Sequence, residues 1–83
     1  MARPADRRTA TTVEFGRRVR TLREGHGLTQ ERLAFSVGLS VTYVASVERG
    51  ERNIGLTKLL HLSDVLNVSP GELLEGLPRS EAR

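Results

Sequence analysis

The sequence lacks cysteine, which excludes disulfide bonds and metal sites built on thiolates. It also lacks long apolar runs, since none approaches the roughly 18 residues that a membrane span requires. The N-terminal segment MARPADRRTATT is polar and has no apolar centre, so it predicts neither a signal peptide nor a membrane anchor. These absences together indicate a cytoplasmic protein.

Groups suited to catalysis are also scarce. The chain has two histidines, His26 and His61, and no nucleophile or carboxylate cluster can be assigned to either. No glycine-rich phosphate loop or metal-ligand spacing is present, so both histidines read more simply as surface or core-rim residues. We therefore expect no enzyme activity, no cofactor, no metal and no small-molecule ligand.

The chain is short, and its positive charge is uneven. A domain of 83 residues buries only about 60% of its unfolded surface, so association with a second copy is a natural supplement to its stability. The formal net charge is only +3, but seven arginines crowd the first third. That asymmetry indicates a polyanionic partner or, equally well, a solvated basic face.

Residues 29–49, TQERLAFSVGLSVTYVASVER, organise the rest of the chain. Their periodicity predicts two short amphipathic helices joined by a tight turn. Gly38 suits the positive φ that ends the first of them, and Ala34 is small enough for the two helices to cross closely. The residues predicted to face inward are Leu33, Ala34, Val37, Val44 and Val47.

This spacing resembles the DNA-binding helix-turn-helix of the lambda-type repressor and Cro family, over about residues 15–74. The resemblance implies an all-α, five-helix, lambda-repressor-like domain in which helices 2 and 3 form the helix-turn-helix. It also implies a nucleoid-associated transcriptional regulator that binds double-stranded DNA sequence-specifically. We expect a disordered basic arm at residues 1–10, the DNA-binding and dimerisation domain at 11–77, and a flexible tail at 78–83. The arm's Arg3, Arg7 or Arg8 would enter the minor groove, or the arm would simply be disordered.

Thr11 and Glu14 form a T-x-x-E pattern, which predicts a capping box and a first helix from residue 11 to 24 or 25. The family resemblance implies that Arg23 of this helix pairs with Glu48, tying helix 1 to helix 3 through a bidentate guanidinium–carboxylate contact. The alternative is that these are two unrelated surface charges.

The second helix is predicted at Gln30–Val37 with Thr29 as its N-cap, so its positive end could receive a phosphate. The resemblance implies that Gln30 contacts the DNA backbone. Phe35 lies off the buried stripe, and we expect it at the rim of the core.

The third helix, about Val41 to Arg49 with Ser40 as N-cap, is the expected reader of DNA. The resemblance places Val41, Thr42 and Ser46 at base-reading positions. Family members often carry glutamine, arginine or lysine at the places of Val41 and Ser46, and this chain does not. We therefore expect specificity to come from thymine-methyl contacts and from DNA shape.

The segment that follows the third helix reads as a loop with donors for phosphates. Arg49, Arg52 and Asn53 supply them, and Tyr43 could join through its hydroxyl. The string TYVASVERGERNI resembles the controller proteins of restriction–modification systems, which are small dimeric regulators, although it also occurs in other short regulators of the wider family.

A fourth helix is predicted from Leu56 to Leu66, apolar on more than one face, with Asn67 just beyond it. A second capping pattern, Ser69 to Glu72 with Pro70, predicts a short fifth helix. The resemblance implies a homodimer interface here, and the alternative is that these leucines close a monomer's core. The residues assigned to the interface are Leu66, Leu74 and Leu77.

A dimer would set its two reading helices about 34 Å apart and require an inverted-repeat operator. The rival function is an antitoxin or another protein-interaction module that uses the helix-turn-helix as a scaffold, and a co-purifying partner would distinguish it. The sequence leaves activation and repression open. Activation would add a contact with RNA polymerase.

Overall fold

A computed structural model describes residues 8–79 of the chain. The predicted all-α, five-helix fold is confirmed, and the described part contains no strand. None of the helices in residues 8–79 has the length and apolar character needed to cross a membrane. The predictions for Arg3 and Arg7 lie outside the described residues. The helices are α1 Ala10–Gly25, α2 Gln30–Val37, α3 Val41–Glu48, α4 Leu56–Val65 and α5 Pro70–Leu74.

Side-chain caps set the starts of α2, α3 and α5, as the sequence predicts. The hydroxyls of Thr29 and Ser40 each accept a hydrogen bond of 3.0 Å from the backbone N–H three residues later. Ser69 and Glu72 form a complete capping box, with bonds of 3.1 and 2.8 Å. Asn67 ends the α4 segment with a φ of 56°, which fits the predicted role after the helix.

The predicted cap of α1 is wrong. Thr9 is the N-cap, and its capping box is closed by Thr12, with bonds of 2.9 and 3.1 Å between each backbone N–H and the other residue's hydroxyl. Glu14 does not bond to the backbone N–H of Thr11 as a capping box requires, because its carboxylate accepts hydrogen bonds from Arg17 and Arg18. Those bonds lower the pKa of Glu14 to about 2.

One apolar core joins all five helices, and Leu66 belongs to it. Leu66 was expected at a dimer interface, and that prediction is wrong because its side chain is 0% exposed. It continues the buried stripe of α4 at three- and four-residue spacing, so it faces the other helices. The core residues are Phe15, Val19, Leu33, Ala34, Val37, Val44, Val47, Leu59, Leu62, Leu66 and Leu73.

Phe35 was expected at the rim of the core, and it is instead 80% exposed. The buried stripe of α2 consists of Leu33, Ala34 and Val37. Because each helical residue turns by about 100°, a side chain one position after Ala34 leaves that stripe altogether. Phe35 therefore contributes little to the core.

Helix α1 and the C-terminal end of α3 approach each other closely at Gly16. A Cβ atom added at Gly16 would lie 2.3 Å from the carbonyl oxygen of Val47 and 2.8 Å from that of Glu48. One turn earlier, the hydroxyl of Thr12 donates a 2.7 Å hydrogen bond to the carbonyl of Gly50. The backbone of α3 thus rests directly on α1, and only glycine fits at position 16.

We predict that Gly16→Ala lowers the free energy of unfolding by at least about 2 kcal/mol, because the added methyl group meets backbone oxygens that cannot rotate away. Helix propensity alone favours alanine over glycine by about 0.5–1 kcal/mol. The predicted change in the free energy of unfolding therefore has the opposite sign to the change that propensity alone would give. Urea unfolding followed by circular dichroism measures the difference.

The matched control is Gly25→Ala, at the last residue of the same helix, where an added Cβ meets nothing within 4 Å. This variant should stay within about 1 kcal/mol of the parent. Equal stability of the two variants would mean that α1 and α3 are not in this close contact.

Candidate nucleic-acid interface

Two buried valines fix the orientation of α3. Val44 and Val47 are each 2% exposed and face the core. Because successive helical residues point about 100° apart, their burial turns Val41 and Thr42 outward. Val41 is 40% exposed and Thr42 is exposed, while Ala45 beside them is partly buried. We call Val41, Thr42 and Ala45 the exposed edge of α3.

An ion pair between Arg23 and Glu48 braces this helix against α1, as the sequence resemblance implies. The guanidinium donates from Nε to Oε2 at 2.6 Å and from Nη2 to Oε1 at 3.0 Å, which is bidentate geometry. The two side chains are only 10% and 3% exposed. The hydrogen bond to the Glu48 carboxylate raises the pKa of Arg23 above its ordinary value.

The same ion pair also holds the start of α2 and the loop before it. Nη1 of Arg23 donates to the carbonyl of Leu28 at 2.8 Å, and Nε2 of Gln30 donates to Oε1 of Glu48 at 3.0 Å. The Glu48 carboxylate therefore accepts three hydrogen bonds. Since an amide nitrogen carries two hydrogens, Gln30 keeps a second donor for a ligand while the first fixes its position.

The first turn of α2 borders one side of the exposed edge. Thr29, Gln30 and Val41 line a single concavity, together with Arg20 from α1. The helix N-terminus carries partial positive charge, which favours an anion. Arg20 donates a 3.1 Å hydrogen bond to Glu24, and Glu31 lines the same concavity, so these carboxylates offset part of the positive charge. The sequence pattern predicted Thr29 and Gln30 for this surface but did not single out Arg20.

Ser46 does not lie on the exposed edge, so its predicted base-reading role is wrong. The residue is 4% exposed, and its hydroxyl donates to the carbonyl of Tyr43 at 2.7 Å. The same oxygen accepts a 3.0 Å hydrogen bond from Nε of Arg52. Ser46 therefore positions an arginine in the loop after α3. The sequence alone did not reveal this, because it depends on how the loop folds back.

Cations and polar groups gather on the other side of the edge. The guanidinium of Arg52 lies 5.2 Å from the centroid of the Tyr43 ring, and the ammonium of Lys58 lies 5.4 Å from it. Asn53 is exposed beside them and lines the same surface as Tyr43 and Arg52. Lys58 lies within an apolar stretch of sequence, and only its approach to Tyr43 places it at this site.

Arg49 also lies at this end of α3, but its guanidinium is engaged. Its Nε and Nη2 atoms donate to the two carboxylate oxygens of Glu51, each at 3.0 Å. Both side chains remain accessible, at 56% for Arg49 and 39% for Glu51. The predicted phosphate ligands thus lie together, although one of them has a carboxylate partner.

The remaining predicted surface is at α5. Leu74 is 44% exposed, and Leu77 lies beyond the end of the helix, partly buried against the core. Two contacts hold this end on α1: Nη1 of Arg18 donates to the carbonyl of Leu73 at 3.0 Å, and the hydroxyl of Thr11 donates to that of Pro78.

We predict that Glu48→Gln lowers the free energy of unfolding by about 2–4 kcal/mol, because it leaves the buried Arg23 charge with only a 3.9 Å contact to the exposed carboxylate of Glu24. Glu51→Gln is the matched control, since it removes one carboxylate from a bidentate but exposed ion pair. We expect no measurable loss of stability there. If both variants unfold at the same urea concentration, the Glu48 ion pair has no bracing role.

Comparison with known proteins agrees with this geometry. The helix-turn-helix family model matches residues 19–73. Control protein C.BamHI of Bacillus amyloliquefaciens is 40% identical over 62 residues, which cover 74% of this chain and 76% of that protein.

Solved structures show the same likeness. The restriction–modification controller protein C.AhdI of Aeromonas hydrophila is 49% identical, with a TM-score of 0.76 over 78% of this chain and 98% of its own. The P22 c2 repressor bound to a synthetic operator is 35% identical, with a TM-score of 0.71 over 75% of this chain and 94% of its own. The predicted resemblance is confirmed: the chain belongs to the helix-turn-helix family of DNA-binding transcriptional regulators.

Proposed function

We propose that the chain acts as a homodimer on an inverted-repeat operator, with the exposed edge of α3 in the major groove of each half-site. The observation that carries this proposal is the outward orientation of Val41 and Thr42. Two groups of predicted phosphate ligands accompany them. Thr29 and Gln30 form one group, and the other comprises Tyr43, Arg49, Arg52 and Asn53.

The biological role that we propose is control of a restriction–modification system. Support comes from the relatives, since C.BamHI is named a control protein and C.AhdI a restriction–modification controller. This chain matches most of the length of each of these two proteins, so the similarity extends beyond a shared pair of helices.

The chemistry of the exposed edge favours indirect readout. Val41 offers only methyl groups, and Thr42 offers one hydroxyl and one methyl, so neither forms the bidentate bond by which arginine or glutamine reads guanine or adenine. The burial of Ser46 removes a further polar group from this edge. Methyl contacts with thymine and the shape of the duplex are then the main sources of specificity.

The dimer surface that we propose is the apolar groove between α5 and the start of α4. Leu56 is 78% exposed and Leu74 44% exposed, and both line the groove with Leu77. An isologous contact would bring the same leucines of the second copy against this surface. Because Leu66 is buried in the core, it has no part in this interface.

We predict that in vitro selection from random duplexes yields two inverted half-sites with centres about 10 base pairs apart, the spacing that sets two recognition helices about 34 Å apart. Under the exposed edge we expect A·T base pairs and no sharp guanine preference. The selection is carried out at a stated salt concentration, and titration of the winning duplex then gives the stoichiometry. If the selected duplexes contain only one half-site, or if they always carry guanine at the base pairs that face Val41, the proposal is contradicted.

We further predict that Leu74→Glu makes the chain monomeric and weakens binding to the selected site by at least about tenfold, because a charge at the two-fold contact would be buried without a partner. Sedimentation equilibrium and fluorescence anisotropy measure the two effects.

The matched control is Phe35→Glu, which adds the same charge at an exposed apolar residue on α2. It should leave both the dimer and the affinity unchanged. If the Phe35 variant dissociates and the Leu74 variant stays dimeric, the interface lies around Phe35 of α2 and the proposed dimer surface is wrong.

A further inference from the structure

Glu51 holds Arg49 in the way that a phosphate would. The two 3.0 Å hydrogen bonds run from Nε and Nη2 of the guanidinium to the two carboxylate oxygens. Arginine uses the same bidentate arrangement for carboxylates and for phosphates. Both side chains are accessible to solvent, so this contact is open to a phosphate from outside.

Glu51 is also attracted by the other cations of this region. The hydrogen bond from Arg49 is the main cause of its lowered pKa, and the positive charges of Arg49, Arg8 and Arg52 add to it. The carboxylate consequently stays ionised among three arginines. A DNA phosphate that approached them would meet a negative charge already in place.

Arg52 differs from Arg49 in this respect. It is fixed by the hydroxyl of Ser46 and by the ring of Tyr43, and neither group carries a negative charge. Within residues 8–79 it takes part in no ion pair. The positive charge of Arg52 is therefore positioned without an ion pair, whereas that of Arg49 is held in one.

We propose that Glu51 is an intramolecular competitor for DNA, which occupies the donors of Arg49 and so lowers the affinity of the chain for duplexes of every sequence. The inference rests on the phosphate role proposed above for Arg49. To bind a phosphate, Arg49 must exchange two charged hydrogen bonds for two others, and Glu51 is left beside the phosphate. The exchange involves only the DNA backbone, so it is independent of base sequence.

The test is Glu51→Gln, which keeps the size of the side chain and removes its charge. We expect it to bind specific and random duplexes roughly three- to tenfold more tightly at low salt, with a salt dependence steeper by about 0.9 in log–log slope, the value for one additional phosphate contact. Fluorescence anisotropy titrations at four salt concentrations measure both quantities.

Glu31→Gln controls for the loss of a negative charge by itself. Glu31 is an exposed carboxylate in the first turn of α2, and it lines the concavity with Gln30 and Val41. It forms no ion pair within the described chain. If Glu31→Gln increases the affinity and the salt slope as much as Glu51→Gln does, general electrostatics explains both, and the proposal is overturned.

A double-mutant cycle with Arg49→Ala separates the inference from the function on which it rests. Arg49→Ala should cost more affinity in the Glu51→Gln background than in the parent chain, because only there is the guanidinium free. An equal, non-zero cost in both backgrounds overturns the competitor inference and leaves the phosphate role of Arg49 intact. No cost in either background overturns that phosphate role as well.

Discussion

The carboxylate of Glu48 is the contact on which the rest of the molecule depends. It accepts two hydrogen bonds from Arg23 and one from Gln30, so one nearly buried group joins α1, the start of α2 and the end of α3. A buried ion pair is stabilising only when its buried polar atoms are hydrogen-bonded. In residues 8–79 no buried side-chain nitrogen or oxygen lacks a partner, those of this pair included. Together with the close approach at Gly16, it holds α3 firmly enough for its exposed edge to act as a rigid surface.

The sequence predicted the parts of the fold that short-range rules determine. Hydrophobic periodicity placed the helices, and the caps at Thr29, Ser40 and Ser69 are as expected, because a capping hydroxyl acts within three residues of itself. The first cap was misplaced by two residues, since a T-x-x-E pattern cannot tell whether the glutamate will bond backward or pair with the arginines that follow it. Helix boundaries that depend on which of two partners a side chain bonds are the hardest to predict from sequence patterns.

The outward orientation of Val41 and Thr42 and the Arg23–Glu48 pair were predictable, because family position and helical geometry agree there. Ser46 was misassigned because α3 is short and buries more than a narrow stripe, and because Arg52 returns to it from the following loop. Contacts between side chains that are distant along the chain leave no local signal. The tight fit at Gly16 and the pairing of Lys58 with Tyr43 are of this kind, and only the three-dimensional packing reveals them. The burial of Leu66, in contrast, follows the spacing of Leu59 and Leu62 along α4.

The proposed function requires that α3 be held in place so that its exposed edge meets the duplex directly. The most direct measurement is a ¹H–¹⁵N NMR titration of the labelled protein with a duplex that it binds. The account predicts that the amides of Val41, Thr42 and Gln30 shift most, with smaller changes along the loop that carries Arg52. Shifts concentrated instead around Phe35 and Leu60, with the edge of α3 unaffected, would contradict it.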